Sequence, residues 1–96
     1  MKALLAEAAG QELADAVAYY DAQGHGLGES FLDEFLAAVG RIEELPEAWQ
    51  PLSKSTRRCR MRRFPYGLIY RVNDGVALII AVGHLHREPD YWRNRT

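Results

Sequence analysis

The spacing of the apolar residues changes near the middle of the chain, and this change constrains the fold more than any other feature. In the first half, apolar residues recur at intervals of three and four, as in an α-helix. From Arg57 onward they alternate with polar residues, as in a β-strand. A chain of 96 residues, 48% of them apolar, is typical of one domain. We therefore predict a single α+β domain over residues 1–96.

A short strand and two amphipathic helices are predicted in the first half. Residues 1–6 can form the strand, and the helices run from about residue 8 to residue 23 and from the segment around Phe31 to Pro46, which ends the second helix. The glycine-rich residues 24–28 separate them, so the helices pack as an antiparallel hairpin. The apolar stripes are Leu13, Ala16, Val17 and Tyr20 in the first helix, and Phe31, Phe35, Ala38, Ile42 and Leu45 in the second.

Three strands and a short C-terminal helix are predicted in the second half. The first strand places Arg58, Arg60 and Arg62 on one face and the apolar residues Cys59 and Met61 on the other. Residues 66–72 form the next strand, a hairpin turn follows at residues 73–75, and residues 76–82 are apolar on both faces, as in a central strand. These strands form a three-stranded antiparallel meander. A proline at position 89 suits the first turn of the short C-terminal helix.

One face of this sheet lacks a cover in the predicted fold, because two helices cover only one face of a small sheet. The other face is predicted to be a shallow groove rimmed by arginines, which would receive a helix or a strand of another chain. The predicted floor consists of Ile69, Ala77, Ile79, Ala81 and Gly83.

The charges are distributed unevenly along the chain. Residues 1–51 contain 2 cations and 10 carboxylates, a net charge of −8, and residues 52–96 contain 10 cations and 3 carboxylates, a net charge of +7. Nine of those ten cations are arginine, which forms bidentate contacts with carboxylates and phosphates. The arginine row either binds phosphates or is a solvated strand face. We favour binding, because crowded like charges cost stability unless a partner offsets them. The partner is then a polyanion or an acidic protein.

Other classes of protein find little support in the sequence. The single cysteine closes no internal disulfide, and no apolar segment approaches the length of a membrane span, so we expect a cytoplasmic protein with no membrane contact. His84 and His86 lie two residues apart, but nothing is spaced to complete a metal site with them, and we expect no metal and no cofactor. Tyr91 and Trp92 either stack on a base or, more commonly for such residues, pack against the sheet.

Four motifs extend over nearly the whole chain. They are Ala-Val-Ala-Tyr-Tyr at 16–20, Gly26-Leu27-Gly28 followed by Phe31, Arg62-Arg63-Phe64-Pro65-Tyr66, and His84-x-x-Arg87-x-Pro89-x-Tyr91-Trp92. Together they resemble the RelE/ParE superfamily of type II toxin-antitoxin toxins. The resemblance implies a strand, two helices and an antiparallel sheet. It also implies growth inhibition, plasmid stabilisation, and a toxin-antitoxin hetero-oligomer in which an antitoxin tail folds across the toxin.

The superfamily divides into ribosome-dependent mRNA endonucleases resembling RelE and gyrase poisons resembling ParE. In the nuclease branch, strand cations, further arginines and a C-terminal tyrosine or histidine act on the RNA. Two of these arginines are replaced here, by Gly67 and Leu85, which removes charge stabilisation of the transition state. If the protein is a nuclease, the resemblance makes His84, Arg87 and Tyr91 the catalytic residues.

The resemblance therefore favours a ParE-like toxin that binds DNA gyrase or a related target. The residues expected to bind the target or nucleic acid are Arg58, Arg60, Arg62 and Arg63. Those expected to bind the cognate antitoxin are Ile69, Arg71, Ile79 and Ala81. Two alternatives stay open: a RelE-like endonuclease whose partners are the ribosome and mRNA, and an interaction domain without toxicity.

Overall fold

Two helices pack on one face of a five-stranded sheet in the structure, a computed structural model that describes residues 1–95. The α+β class and the predicted order of the elements are confirmed, but the predicted helix with Pro89 in its first turn is not formed: a single 3-10 turn begins only at Arg93. The elements are β1 (Lys2–Leu5), α1 (Glu7–Gln23), α2 (Leu27–Glu44), β2 (Gln50–Pro51), β3 (Arg57–Arg60), β4 (Tyr66–Asn73), β5 (Val76–His84) and a single 3-10 turn (Arg93–Arg95).

The strand order is β1-β5-β4-β3-β2, and β3, β4 and β5 form the predicted antiparallel meander. The sequence left two features of the sheet unassigned. β1 pairs with β5 in parallel, which makes β5 an interior strand with apolar residues on both faces. β2 has only two residues and forms the opposite edge, a position where Pro51 is tolerated.

The helix-facing core is built on the predicted stripe of α2. Phe31, Phe35, Ala38 and Ile42 are buried there. Leu45 is 56% exposed, because the helix ends at Glu44 and the backbone turns away. Within the described chain, no helix is long and apolar enough to cross a membrane.

The connection between the helices depends on a carboxylate from α1. Gly26 precedes α2 with a φ of 80° and has no side chain to cap the helix. Asp21 supplies the missing acceptor: its Oδ1 accepts a hydrogen bond of 2.9 Å from the N–H of Gly28. A Cβ at Gly28 would lie 2.3 Å from that oxygen, so only glycine fits beneath the carboxylate.

An irregularity in β5 changes which side chains share a face. Ile69 pairs with Ala81 and Tyr70 pairs with Ile79, so Ile80 has no partner on β4. Ile79 therefore packs with the helices, whereas Ile80 and Ala81 both belong to the apolar cluster on the opposite face. The prediction that Ile79 and Ala77 share a groove floor with Ile69 and Ala81 is wrong, because strict alternation cannot include a bulge.

The outer face of the sheet is covered in part by the end of the same chain. Trp92 is 6% exposed and packs with Ile69, Ile80 and Ala81. The packing interpretation of Trp92 is confirmed. The prediction of an open groove over Ile69 and Ala81 is wrong, because the C-terminal segment (residues 85–95) occupies it.

Candidate functional site

The arginines expected to bind a target lie at and beyond the end of β3. Cys59 is fully buried under the helices, so its neighbours Arg58 and Arg60 point to the outer face. The strand ends at Arg60, and Arg62 lies in the following turn, contrary to its prediction as a strand residue. The cause is Glu34 on α2: its Oε1 accepts hydrogen bonds from the N–H groups of Arg62 and Arg63, at 3.2 and 3.1 Å.

Arg62 still lies with Arg58 and Arg60 around one depression of about 340 Å³, which we call the arginine pocket. Its lining residues are Arg41, Trp49, Gln50, Arg58, Arg60, Met61 and Arg62. Arg41 reaches it from α2 and donates a hydrogen bond of 2.9 Å to the C=O of Arg60. Arg58 donates to the Gln50 side chain at 3.0 Å. Sequence analysis missed Arg41, although it is the only cation between Lys2 and Lys54.

The arginines of the pocket form no ion pair within the described part of the chain. There, the ion pairs within 4.0 Å join Glu12 to Arg87 and Arg95, and Asp90 to Arg93, and none includes a pocket arginine. Burial, and then the neighbouring charge of Arg60, lower the pKa of Arg58. The four guanidinium groups thus concentrate positive charge around one depression, with the Glu34 carboxylate bonded to the backbone beside it.

A second group of cations is neutralised by Glu12 of α1. Its Oε2 accepts a 2.6 Å hydrogen bond from Arg87 and its Oε1 a 2.6 Å hydrogen bond from Arg95. Its Oε1 also accepts a hydrogen bond of 3.0 Å from the N–H of Val82, which lies in the part of β5 that extends beyond the end of β1. Burial raises the pKa of Glu12, but the hydrogen bonds from Arg95, Val82 and Arg87 outweigh that effect and lower it. Glu12 therefore holds the C-terminal segment against the sheet.

The residues that a nuclease would use are brought together, with Tyr91 in a narrow space and with His84 and Arg87 also lining a separate depression of about 300 Å³. The Tyr91 hydroxyl lies against Gly83, where a Cβ would approach it to 1.8 Å, and the Arg87 guanidinium lies 3.9 Å from the Tyr91 ring centroid. The space among these residues is about 40 Å³. Burial, and then the charge of Glu12, raise the pKa of Tyr91, so its hydroxyl stays protonated near neutrality.

His84 is also engaged within the protein. Its Nδ1 accepts a hydrogen bond of 3.0 Å from the backbone N–H of His86, which places the proton of a neutral His84 ring on Nε2. The two rings lie 5.3 Å apart, although the strand ends at His84. In residues 1–95 no three His, Cys, Asp or Glu side chains are grouped so as to hold a metal ion.

Arg71, expected to contact an antitoxin, lies at the other end of the sheet. It lines a cavity of about 430 Å³ with two further cations, Lys54 and Arg57. Arg71 Nε is buried and has no hydrogen-bond partner in the described chain. On the cavity wall, the Tyr70 hydroxyl donates to the C=O of Pro46 at 2.5 Å, and burial raises the pKa of Tyr70 to about 12.

Comparison with known proteins agrees with this architecture. The sequence model for the ParE toxin of the type II toxin-antitoxin system parDE matches residues 3–89. Among solved structures, a chain of the chromosomal ParDE TA system from P. aeruginosa is similar, with a TM-score of 0.64 and 16% identity over 88% of this chain and 95% of that chain. At this identity the likeness shows the fold. No curated protein matches the chain in sequence.

The family match covers both helices, the whole sheet and the arginine pocket. The motifs that resemble the superfamily lie within this range, except for Tyr91 and Trp92 just beyond it. The chain belongs to the ParE toxin family of type II toxin-antitoxin systems.

Proposed function

We propose that this toxin arrests growth by binding DNA gyrase or a related target, and that a cognate antitoxin neutralises it. The observation that carries the proposal is the arginine pocket, whose four guanidinium groups have no carboxylate partner in the described chain. Uncompensated like charges cost stability, so a surface of this kind is best explained by a ligand that supplies negative charge. Arg63, exposed in the turn beside the pocket, extends the proposed target-binding surface.

A binding toxin is favoured over a nuclease by the confinement of Tyr91, although His84 and Arg87 also line a separate depression of about 300 Å³. General acid-base catalysis requires the reacting groups to approach the substrate within hydrogen-bond distance. About 40 Å³ of space excludes a nucleotide from the Tyr91 hydroxyl, and Arg87 is already paired with Glu12. The nuclease branch has arginines at the positions of Gly67 and Leu85. In this chain the side-chain stem of Arg58 passes over Gly67, and Leu85 lies beside Gly67.

We propose that the antitoxin contributes an acidic segment to the outer face of the sheet. Arg71 is the first candidate contact, since its buried Nε lacks an acceptor. Ile69 and Ala81 lie beneath Trp92, so an antitoxin reaches them only by displacing the C-terminal segment. Ile79 is excluded from this role, because it is 1% exposed and packs under the helices. The similar solved chain from P. aeruginosa is part of a chromosomal ParDE TA system, which supports an antitoxin partner.

Two reactions with purified protein test the proposal. Incubation with gyrase, supercoiled plasmid and ATP should produce cleaved DNA that depends on both proteins, and incubation with translating ribosomes should leave mRNA intact. The Tyr91→Phe variant should retain the effect on gyrase, because the hydroxyl lies against Gly83 and Tyr91 does not line the arginine pocket. Ribosome-dependent mRNA cuts that disappear in Tyr91→Phe would establish the nuclease instead. Unimpaired growth on induced expression would establish the interaction domain without toxicity.

A further inference from the structure

We infer that the arginine pocket binds the phosphodiester backbone of a nucleic acid, so that the toxin contacts the nucleic acid of its target complex directly. This inference deepens the proposed function by naming the ligand chemistry of the surface assigned to the target. Binding to free nucleic acid requires no target protein, so the two can be tested separately.

The number and type of the cations are the first support. Arg41, Arg58, Arg60 and Arg62 line a single depression of about 340 Å³. Guanidinium groups form paired hydrogen bonds with phosphate oxygens, and they keep their charge at any physiological pH. The Glu34 carboxylate lies beside the pocket, where it accepts hydrogen bonds from the backbone N–H groups of Arg62 and Arg63 rather than from a guanidinium.

The state of the sheet edge favours a phosphodiester over an acidic peptide. A peptide adds to a sheet by hydrogen bonding to the free backbone groups of an edge strand. At β3 this route is blocked. β2 pairs with Arg57 and Arg58, and the Arg41 guanidinium donates a hydrogen bond of 2.9 Å to the C=O of Arg60. A ligand at this edge is therefore held through side chains rather than by strand pairing, which suits a polymer whose backbone itself is anionic.

Trp49 and Met61 supply an apolar wall among the four arginines. The Trp49 indole is half-buried, and its N–H donates to the C=O of Arg41 at 3.2 Å, which holds the ring in place. Single-stranded nucleic acids bind to cationic grooves with aromatic side chains on which sugars or bases rest.

Salt dependence of binding gives the sharpest test. Fluorescence anisotropy would follow labelled 20-base-pair DNA duplexes of two unrelated sequences and a single-stranded RNA of the same length, from 50 to 200 mM salt. The variant Arg60→Gln/Arg62→Gln removes two exposed pocket charges. Because each lost phosphate contact lowers the slope of log K against log salt by about 1, we expect the slope to fall by about 2. Affinity should fall at least tenfold, equally for both duplex sequences.

The matched control is Lys2→Gln/Lys54→Gln, which removes the same charge from two exposed residues away from the pocket. It should leave the slope within about 0.5 of the wild-type value, since neither lysine lines the site. An equal loss in the control, or an unchanged slope in the arginine variant, overturns the inference. The inference is also overturned if polyglutamate, at equal concentration of charge, displaces the labelled DNA as effectively as unlabelled DNA does.

The two nucleic acid arms identify the source of the phosphodiester. Tighter binding of the duplex indicates DNA, and tighter binding of the single strand indicates RNA. Both support the pocket as a phosphodiester site. Wild-type protein that binds DNA through the pocket but has no effect on gyrase contradicts the proposed function and not this inference. An arginine variant that loses DNA binding but cleaves with gyrase at the wild-type rate contradicts the inference and not the proposed function.

Discussion

Glu12 ties three separate parts of the chain together, and its replacement by glutamine should show how much that contact stabilises the fold. The carboxylate accepts from Arg87, Arg95 and the N–H of Val82, and its side chain is 15% exposed. Each hydrogen bond to a charged group contributes about 1.5–3 kcal/mol. Arg87 is 42% exposed, so its share is discounted for solvent screening.

Glutamine keeps the shape of the side chain and one acceptor for Val82, but it loses the charge that Arg95 faces. We therefore expect Glu12→Gln to lower the free energy of unfolding by about 2 kcal/mol at pH 7, less than the cost of breaking a fully buried pair. For a domain of this size, the loss corresponds to a melting temperature lower by about 8–16 °C. Urea unfolding followed by circular dichroism measures the free energy, and Glu44→Gln, an exposed change on α2, is the control.

The pH dependence supplies an independent check. The pKa of Glu12 in the folded protein is below its ordinary value of 4.5. The stabilisation is therefore present above the unfolded pKa and is lost as the pH falls through the folded pKa. The difference in the free energy of unfolding between wild type and Glu12→Gln should have its full value at pH 7 and become smaller below pH 4.5. Two results would refute this account of Glu12. One is a difference in unfolding free energy within about 0.5 kcal/mol at pH 7, which is the range of ordinary surface changes. The other is a difference that stays constant to low pH.

Two further changes test local packing. Gly83→Ala should displace Tyr91, because the new Cβ would lie 1.8 Å from the Tyr91 hydroxyl. Trypsin should then cleave the C-terminal segment faster than in the wild type. The control is Gly40→Ala, at an open position on α2, which should leave the rate of cleavage unchanged or lower. Tyr70→Phe should cost about 1–2 kcal/mol in urea unfolding, because the C=O of Pro46 loses its donor. Ultraviolet titration of the wild type should show one tyrosine ionising near pH 12, since burial raises its pKa, and that step should be absent in Tyr70→Phe.

Local signals in the sequence predicted most of the secondary structure. Helical and alternating periods, the glycines at 24–28 and the turn at residues 73–75 each depend on a few neighbouring residues. The predicted elements and the antiparallel meander were accordingly confirmed, within one or two residues at several ends. The motif resemblance and the family match agree.

Predictions about faces and contacts were less successful, and the failures have identifiable causes. The bulge at Ile80 reverses the alternation of β5, and no period in the sequence marks it. Trp92 covers the face that was expected to be open, because a C-terminal residue can fold back over any surface its chain length allows. These two features account for the predicted groove residues, whereas Arg62 left the strand because of Glu34 on α2. The roles of the predicted functional residues stay predictions.

The sequence by itself determined the class of fold, the family and the separation of charge between the two halves of the chain, because each is a property of residue order alone. Only the tertiary structure decided which charges meet. It paired Arg87 and Arg95 with Glu12, more than 70 residues away, and brought Arg41 to the pocket of the strand arginines. The reason is physical: Coulomb interaction depends on distance in space, and that distance is set by packing over the whole chain.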